Sequence, residues 1–434
     1  MYYKVSYIIS QHYATARNDT MLLDFTVGNF GPFRDDTTLS MNATRITEHK
    51  ENIIGSETID KDILSSAIVF GPNAAGKSFI TDALLILKEV VTIVDGDIPH
   101  ALYIPYRLSK ECRGAPTRLG IRLILDGVLY DYRVEYRAGV VTSESLHHYP
   151  KGRPSRVFVR NGPDNYTSAK KRVVSMTKPG KTYLAMAAVG ADPVCTRVRD
   201  AIIDDIVILS GDPKIYAGST CKASDDPKRK AMTVKALGTA DLGICDFSYE
   251  EEQMDLVDYQ RKMPPELYDA MKSKSDTMSR IDIRLIHDFP SPEIDEEGRT
   301  IPMEAESEGT KSIFGLMAPL IDVLENGKTL VIDELGSHLH PMLTRWIVKQ
   351  FSSENNPRGA QLVANTHDLG LMDIDGLLRR DQIWFVNRSR ENGVSELYCL
   401  SDFDGVRKDT DVLRRYLDGR FDAVPAVRHR GVIG

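Results

Sequence analysis

Residues 71–78 read GPNAAGKS, which fits the spacing Gly-x-x-x-x-Gly-Lys-Ser. The apolar residues Ile68, Val69 and Phe70 precede this run, and a segment with helical apolar spacing follows it. Such a turn directs backbone N–H groups at a phosphate, the lysine adds positive charge, and the final hydroxyl reaches Mg²⁺. The pattern predicts a nucleoside-triphosphate loop; the alternative is a plain glycine-rich turn. The candidate nucleotide-binding residues are Gly71, Ala74, Ala75, Gly76, Lys77, Ser78 and Phe79.

A second apolar run, residues 330–332, ends in Asp333 and Glu334. A buried strand in this position brings Asp333 to the Mg²⁺ ion that Ser78 also contacts, usually through water. Glu334 is then placed to orient and deprotonate the attacking water. Many strands end in acids, so this pattern is weak by itself. It gains meaning from the phosphate loop upstream and from the motifs around it.

The run ESEGTK, residues 306–311, places Ser307 and Gly309 at a predicted helix start. A helix N-terminus is suited to binding a phosphate. Because the phosphates already have a cradle at Lys77, we expect this run to close over ATP held by a second copy. That predicts a homodimer with two sandwiched nucleotides, or a higher even-numbered oligomer. The alternative is an ordinary helix start that Ser307 caps.

His367 follows a predicted strand and is expected to contact the γ-phosphate or its attacking water, although most single histidines have no catalytic role. His338 and His340 follow the two acids, where two copies would meet. A metal site there is a poor interpretation, because neither a cysteine nor a third histidine lies nearby.

The predicted elements favour an α/β fold with a mixed sheet and an antiparallel β layer. Met21 opens a strand, and residues 118–136 alternate as a hairpin around Asp126 and Gly127. Further strands are expected at 329–332, 361–365 and 383–386. A helix is expected at 310–324, bent or interrupted near Pro319, and another from Pro341 to Phe351.

Four segments are predicted. Residues 1–20 form an N-terminal extension, and 21–165 form a first ATPase lobe with the phosphate loop. Residues 166–279 form a helical insertion, because charge runs and helical spacing dominate there. Residues 280–434 form a second lobe with the remaining motifs.

The composition describes an ordinary soluble protein of 434 residues with a net charge of −7. The whole molecule is therefore not an electrostatic nucleic-acid binder. Its basic clusters, 170–172, 228–230 and 379–380, are solvated faces or phosphate contacts. The five cysteines are scattered, which predicts a protein without disulfides. We find no apolar run of membrane-spanning length and no signal peptide, so we expect a cytoplasmic protein without membrane contact.

The four motifs, in this order, resemble the ATP-binding-cassette (ABC) type heads of SMC and RecF-like ATPases. The runs ESEGTK, DELGSHLHP and NTHD, with Phe25, Val27, Asn29 and Phe30, resemble the AAA-family ATP/GTP phosphatases of the abortive-infection and RloA type. Residues 240–244 and 416–425 also resemble that group. The resemblance extends over nearly all of the chain from Met21 onward.

The resemblance implies a P-loop NTPase with an ABC/SMC-like head and a role in bacterial defence against phage. By position it assigns nucleotide and Mg²⁺ binding to Asn73, Gly76, Lys77 and Ser78. It also implies Asp333 as a Mg²⁺ ligand, Glu334 as base, Ser307 and Gly309 acting in trans, and His367 as γ-phosphate sensor. A nuclease-like or TOPRIM-like effector protein is the implied partner, and nucleic acid or a phage protein is the candidate trigger.

Two departures from the pattern concern hydrolysis. ABC-type heads usually place a Gln after the first helix, but this chain has no Gln between Gln11 and Gln253. Ala74 stands where many SMC-like heads have Gly, which tightens the steric fit.

Three functions remain open. The first is an ATPase that controls a separate effector, which is favoured because little chain follows His367. The second is a DNA-clamping repair ATPase, and the third is a transporter ATPase.

Overall fold

The computed structural model describes residues 20–55, 62–150, 152–240, 242–259, 268, 272, 277–289, 291 and 293–425. The predicted N-terminal extension lies outside these residues, apart from Thr20. Across the described ranges, no helix has the length and apolar character needed to cross a membrane.

The described strands begin in the first half of the chain with β1 Thr20–Gly28, β2 Thr37–Ser40, β3 Ile53–Ile54, β4 Ile63–Leu64, β5 Ser66–Phe70, β6 Thr117–Leu125, β7 Val128–Arg137, β8 Val140–Tyr149, β9 Ser155–Asn161 and β10 Tyr166–Thr167. They continue with β11 Ile206–Leu209, β12 Ile244–Asp255, β13 Thr277–His287, β14 Thr300–Pro302, β15 Thr329–Leu335, β16 Gln361–Thr366, β17 Ile383–Arg388 and β18 Ser395–Cys399.

The described α-helices are α1 Lys77–Thr92, α2 Lys110–Gly114, α3 Lys171–Met176, α4 Tyr183–Val189, α5 Pro193–Asp200, α6 Ala217–Ala223, α7 Pro227–Thr239, α8 Glu296–Arg299, α9 Glu308–Asn326, α10 Pro341–Lys349 and α11 Val412–Leu417. Short 3₁₀ turns connect several of them, including Pro213–Tyr216 before α6.

A six-stranded sheet carries the motifs, in the order β11-β15-β16-β5-β17-β18. Its first five strands are parallel, and β18 pairs antiparallel with β17. Parallel strands covered on both faces are apolar throughout rather than alternating. In β5 all residues are buried, with Val69 facing one core and Ile68 and Phe70 facing the other. This double burial fixes the strand ends.

An antiparallel sheet of seven strands forms a second layer, in the order β10-β9-β8-β7-β6-β1-β2. The predicted hairpin is confirmed as β6–β7, in which Leu125 pairs with Val128. Asp126 and Gly127 both have positive φ, as a two-residue hairpin turn requires. Helix α1 shares a core with this sheet and with one face of the parallel sheet. The predicted α/β fold with a mixed sheet and an antiparallel layer is confirmed.

Helix α9 covers the other face of the parallel sheet and continues through Pro319 rather than being interrupted there. A proline in a helix leaves carbonyl groups of the preceding turn without their usual donor. Here the Thr220 hydroxyl of α6 donates to the Phe314 carbonyl (2.9 Å) and approaches the Gly315 carbonyl (3.5 Å). The carbonyl that Pro319 leaves without its donor is that of Gly315, and the neighbouring helix offers it the longer of these two contacts.

The segment predicted as a helical insertion contains α3–α7, but it is not purely helical. Strand β11 joins the edge of the parallel sheet beside β15, and β12 forms a long antiparallel pair with β13. The sequence hides β12 because three consecutive glutamates, residues 250–252, interrupt its apolar alternation. Strand β18 was also not predicted. The four segment boundaries remain predictions.

Candidate nucleotide-binding site

Three of the predicted motifs lie at one edge of the parallel sheet. Strands β15, β16 and β5 are consecutive neighbours, and all three run in the same direction. Asp333 and Glu334 end β15, His367 follows β16, and the phosphate loop follows β5. The carboxyl ends of parallel strands form the usual ligand crevice of open α/β sheets. Pairing between distant segments thus assembles the site.

The two glycines that define the phosphate loop are required by close packing. A Cβ atom on Gly71 would lie 2.2 Å from the Val386 carbonyl oxygen, and one on Gly76 would lie 2.8 Å from the Pro32 ring. Both have positive φ. Ala74 also adopts a left-handed conformation, with φ of 62°, which costs a non-glycine residue about 1–2 kcal/mol. The loop therefore stores strain at the position that departs from the family pattern.

Lys77 is the first residue of α1 and is 6% exposed. Its Nζ donates to the carbonyl oxygens of Gly71 (2.8 Å) and Pro72 (3.1 Å). Burial lowers the pKa of Lys77, while the nearby carboxylates of Glu334 and Asp333 act in the opposite direction. The ammonium group is therefore held over the loop and within electrostatic reach of both acids.

The remaining loop residues take distinct positions. Asn73 and Ala74 are exposed, Ala75 is buried, and Ser78 is half-buried next to Lys77. The Ala75 carbonyl accepts a hydrogen bond of 2.5 Å from the Ser395 hydroxyl of β18, which ties the loop to the sheet edge.

Phe79 packs edge-on against Phe30, with ring centroids 5.9 Å apart, and fills the space beside Gly31. This predicted contact residue therefore supports the loop from the side of residues 29–33.

The two acids at the end of β15 differ in exposure. Asp333 is half-buried, and Glu334 is exposed. Glu334 has φ of 59°, and the β15–β16 register shifts between Ile332 and Leu335. A bulge of this kind re-aims a side chain at the end of a ladder. Glu334 is thereby left exposed at the end of the strand, within electrostatic reach of Lys77.

His367 is exposed and lies just past β16. Desolvation lowers its pKa, the positive charge of Lys77 lowers it further, and Glu334 opposes both. The imidazole is therefore near Lys77 and Glu334, and it is neutral at neutral pH. A neutral imidazole has one donor and one acceptor nitrogen, so it can donate to a phosphate oxygen and accept from a water molecule.

Ser307 and Gly309 lie at the start of α9, beside the loop that follows β15. Ser307 is exposed and caps the helix, since its Oγ accepts a hydrogen bond of 3.1 Å from Thr310 N. A Cβ atom on Gly309 would lie 2.8 Å from the His338 carbonyl oxygen. Ser307 therefore has the capping role that the sequence left open.

The two histidines between the acids and α10 have local structural roles. His338 has φ of 67°, and His340 caps α10 by accepting a hydrogen bond of 3.2 Å from Met342 N. They border the loop that contacts Gly309.

Asn365 is a residue of this site that the motif analysis did not single out. Its side chain contacts both Asp333 and Glu334. Its presence in the NTHD run was the available signal, but only the pairing of β15 with β16 reveals what it contacts. Ser395, which contacts the phosphate loop, had no signal in the sequence.

Most residues of the basic clusters form ion pairs with carboxylates of the same molecule. Arg379 is buried, with 1% of its surface exposed, so the prediction of a solvated face is wrong for the cluster at 379–380. Described ion pairs join Lys170 to Asp192, Lys228 to Glu325, Arg229 to Asp322, Lys230 to Asp246, Arg379 to Asp381 and Arg380 to Glu48.

The chemistry of the donor set at this edge fits Mg²⁺. The Ser78 hydroxyl and the Asp333 carboxylate are hard oxygen ligands, and Mg²⁺ is commonly held by one or two carboxylates together with substrate phosphates and water. The Asn365 amide occupies Oδ1 of Asp333, so the second oxygen is available to the ion or to its water.

Residues 269–373 match the profile of a family described as "AAA domain, putative AbiEii toxin, Type IV TA system". No match was found among curated protein sequences. The SMC head domain from Thermotoga maritima is 14% identical, with 87% of this chain and 98% of that chain covered and a TM-score of 0.40.

Two further solved structures are similar. The Smc head domain with an extended coiled coil from Pyrococcus furiosus, bound to the C-terminal domain of ScpA, is 12% identical, with 88% and 96% coverage and a TM-score of 0.44. The recombination mediator protein RecF is 10% identical, with 88% and 100% coverage and a TM-score of 0.38.

The chain has a mixed α/β fold in which the predicted motifs lie at the carboxyl edge of a parallel sheet. Residues 269–373 are similar to an AbiEii-type AAA domain.

Proposed function

We propose that this protein binds ATP with Mg²⁺ and hydrolyses it. The observation that carries the proposal is the convergence of Lys77, Glu334 and His367 at three neighbouring strand ends, where the charge of Glu334 acts on the pKa of both Lys77 and His367. In phosphoryl transfer a protein contributes mainly positioning and electrostatic stabilisation. A cation, a base and a neutral imidazole at one crevice supply those functions.

The residues divide the work as follows. The loop N–H groups and Lys77 bind the β- and γ-phosphates, and Lys77 exchanges its bonds to the loop carbonyls for phosphate oxygens. Glu334 orients the attacking water and accepts its proton, and His367 contacts the γ-phosphate. Ser78 and Asp333 would hold Mg²⁺, which neutralises phosphate charge when bound.

The proposed assembly is a homodimer, or a larger even-numbered oligomer, that encloses two nucleotides. Ser307 and Gly309 lie at an exposed helix start, and the phosphates of the same chain already have a cradle. A second copy can present this helix start to the γ-phosphate. ATP binding then closes the dimer, and hydrolysis opens it.

We further propose that this cycle controls a separate effector, nuclease-like or TOPRIM-like, in bacterial defence against phage. The support is the motif set ESEGTK, DELGSHLHP and NTHD, together with the AbiEii description of the matching profile. A nucleic acid or a phage protein would act as trigger. The cytoplasm is the proposed location.

Phosphate release by the purified chain tests the enzymatic proposal. Lys77→Ala is expected to lose ATP binding and hydrolysis, and the exposed Lys171→Ala is the matched control. If Lys77→Ala hydrolyses ATP as the wild type does, the proposed site is wrong.

The DNA-clamp alternative is separated by a second measurement. It requires duplex DNA binding that depends on ATP and weakens steeply with salt. Because most residues of the basic clusters are paired with acids, we expect such binding to be absent. Co-purification from the native host, comparing Lys77→Ala with the wild type, identifies any effector that associates only with the ATP-competent form.

A further inference from the structure

Asn365 lies one residue before the end of β16, and its side chain is 3% exposed. Its Nδ2 donates to Oδ1 of Asp333 at 2.5 Å, and its Oδ1 accepts from the backbone N–H of Glu334 at 2.9 Å. One buried amide therefore contacts both acids at the end of the neighbouring strand. The orientation of the amide is fixed by chemistry, because the flipped amide would oppose like groups at both contacts.

The contact to Glu334 supports an unusual backbone conformation. Glu334 has φ of 59° at the bulge, where the ladder between β15 and β16 is shifted. The backbone N–H of Glu334 therefore lies outside the regular hydrogen-bond ladder between the strands. The side-chain oxygen Oδ1 of Asn365 accepts its hydrogen bond instead. A non-glycine residue persists in such a conformation only when its surroundings hold it there.

The contact to Asp333 fixes the direction of that carboxylate. With Oδ1 held by Nδ2 of Asn365, the rotation of the carboxyl group is restricted and Oδ2 is left for other ligands. Asparagine is suited to both tasks because its amide has a donor and an acceptor side by side. Aspartate lacks the donor, and threonine is too short to span both contacts.

We propose that Asn365 is a positioning residue that sets Asp333 for Mg²⁺ and Glu334 for the attacking water. The inference rests on the proposed ATPase function and deepens it. Asn365 acts only through the two acids, as outer-shell partners of metal ligands do, and loss of such partners typically costs about 10- to 100-fold in metal affinity or activity.

Titration of Mg²⁺ against a fluorescent ATP analogue tests the proposal. Asn365→Ala and Asn365→Leu, which roughly keeps the side-chain volume, are expected to raise the Mg²⁺ concentration for half-maximal tight binding by about 10- to 100-fold. Binding of the analogue without Mg²⁺ should remain as in the wild type, because the phosphate loop and Lys77 are untouched. kcat is expected to fall while the KM for ATP changes little.

Asn356→Ala provides a matched control. Asn356 is also buried, and its amide bonds to the backbone of Phe351 and Ala360 away from the site. This variant should lower Tm without changing the Mg²⁺ dependence. If both Asn365 variants keep wild-type Mg²⁺ dependence, the inference is overturned. If the wild type and Lys77→Ala bind the analogue equally, the proposed function itself is overturned. That result is distinguishable from a failure of the inference about Asn365 alone.

Discussion

The two helix starts that carry phosphate-binding motifs are built differently. The first, at α1, has Gly76 at the cap position, no side-chain cap and a buried lysine as its first residue. The second, at α9, is closed by the hydroxyl of Ser307 and is exposed. An uncapped start leaves N–H groups free for an anion. The first start is therefore ready for a phosphate, whereas the second must release its own cap.

The charges at the two helix starts also differ. Lys77 brings a cation to the first start, whereas Glu308 brings an acid to the second. Hydrogen bonds from Lys214 and Lys311 lower the pKa of Glu308 to about 2. These two lysines offset a negative charge that would otherwise repel a phosphate. Under the proposed function, we expect α1 to bind nucleotide strongly and α9 to engage it conditionally.

Replacing the base tests whether the second start engages nucleotide at all. Glu334→Gln should lower kcat by about 10²- to 10⁴-fold while ATP stays bound, because the phosphate contacts are intact. The trapped ATP should then shift the protein to a dimer in size-exclusion chromatography with light scattering. The exposed Glu354→Gln is the control. An unchanged elution volume with bound ATP would break the comparison, since α9 would then have no role in trans.

Gly309→Ala should separate the second start from the loop beside it. The new Cβ would lie 2.8 Å from the His338 carbonyl oxygen, and such overpacking costs about 1–3 kcal/mol. We expect a lower Tm and weaker ATP-dependent dimerisation in the Glu334→Gln background. Gly114→Ala, at an exposed position where an added Cβ atom meets nothing within 4 Å, serves as the comparison. Dimerisation at wild-type strength would show that the close approach is not needed.

Ser307→Ala sharpens the difference in capping. Loss of the cap to Thr310 N should lower the free energy of unfolding by about 1 kcal/mol. ATP-dependent dimerisation should fall as well, because the hydroxyl is also the proposed phosphate contact. Ser109→Ala, which removes the cap of α2, should reduce stability without affecting the dimer. Equal effects of both variants on the dimer would assign Ser307 a capping role alone.

Lys214→Ala probes the charge difference and has the smallest expected effect. Its Nζ donates to Glu308 at 2.7 Å on an exposed face, where solvent screens ion pairs and they contribute little to folding stability. Folding stability should change little, while dimerisation should weaken at low salt because Glu308 is less neutralised. Dimerisation should recover when Glu308→Gln is added. If dimerisation is insensitive to both substitutions, the charge of Glu308 does not contribute to the difference between the two helix starts.

Short-range patterns in the sequence account for the parts of the fold that were predicted. The phosphate loop, the β6–β7 hairpin and the strand before Asp333 each follow from residues close in the chain. Strand β12 was not predicted because its glutamates interrupt the apolar alternation. Its extended conformation is stabilised by antiparallel pairing with β13. Helix α9 continues through Pro319, where Thr220, far away in sequence, donates to the Phe314 carbonyl and lies 3.5 Å from the Gly315 carbonyl.

By itself, the sequence determined the chemical types at the site: the phosphate loop with Lys77, the acids Asp333 and Glu334, and His367. Their identities follow from motif spacing, which is local. Only the tertiary structure decided that β15, β16 and β5 lie side by side and that Asn365 contacts both acids. Hydrogen bonds between strands depend on which distant segments pair, and no local pattern encodes that choice.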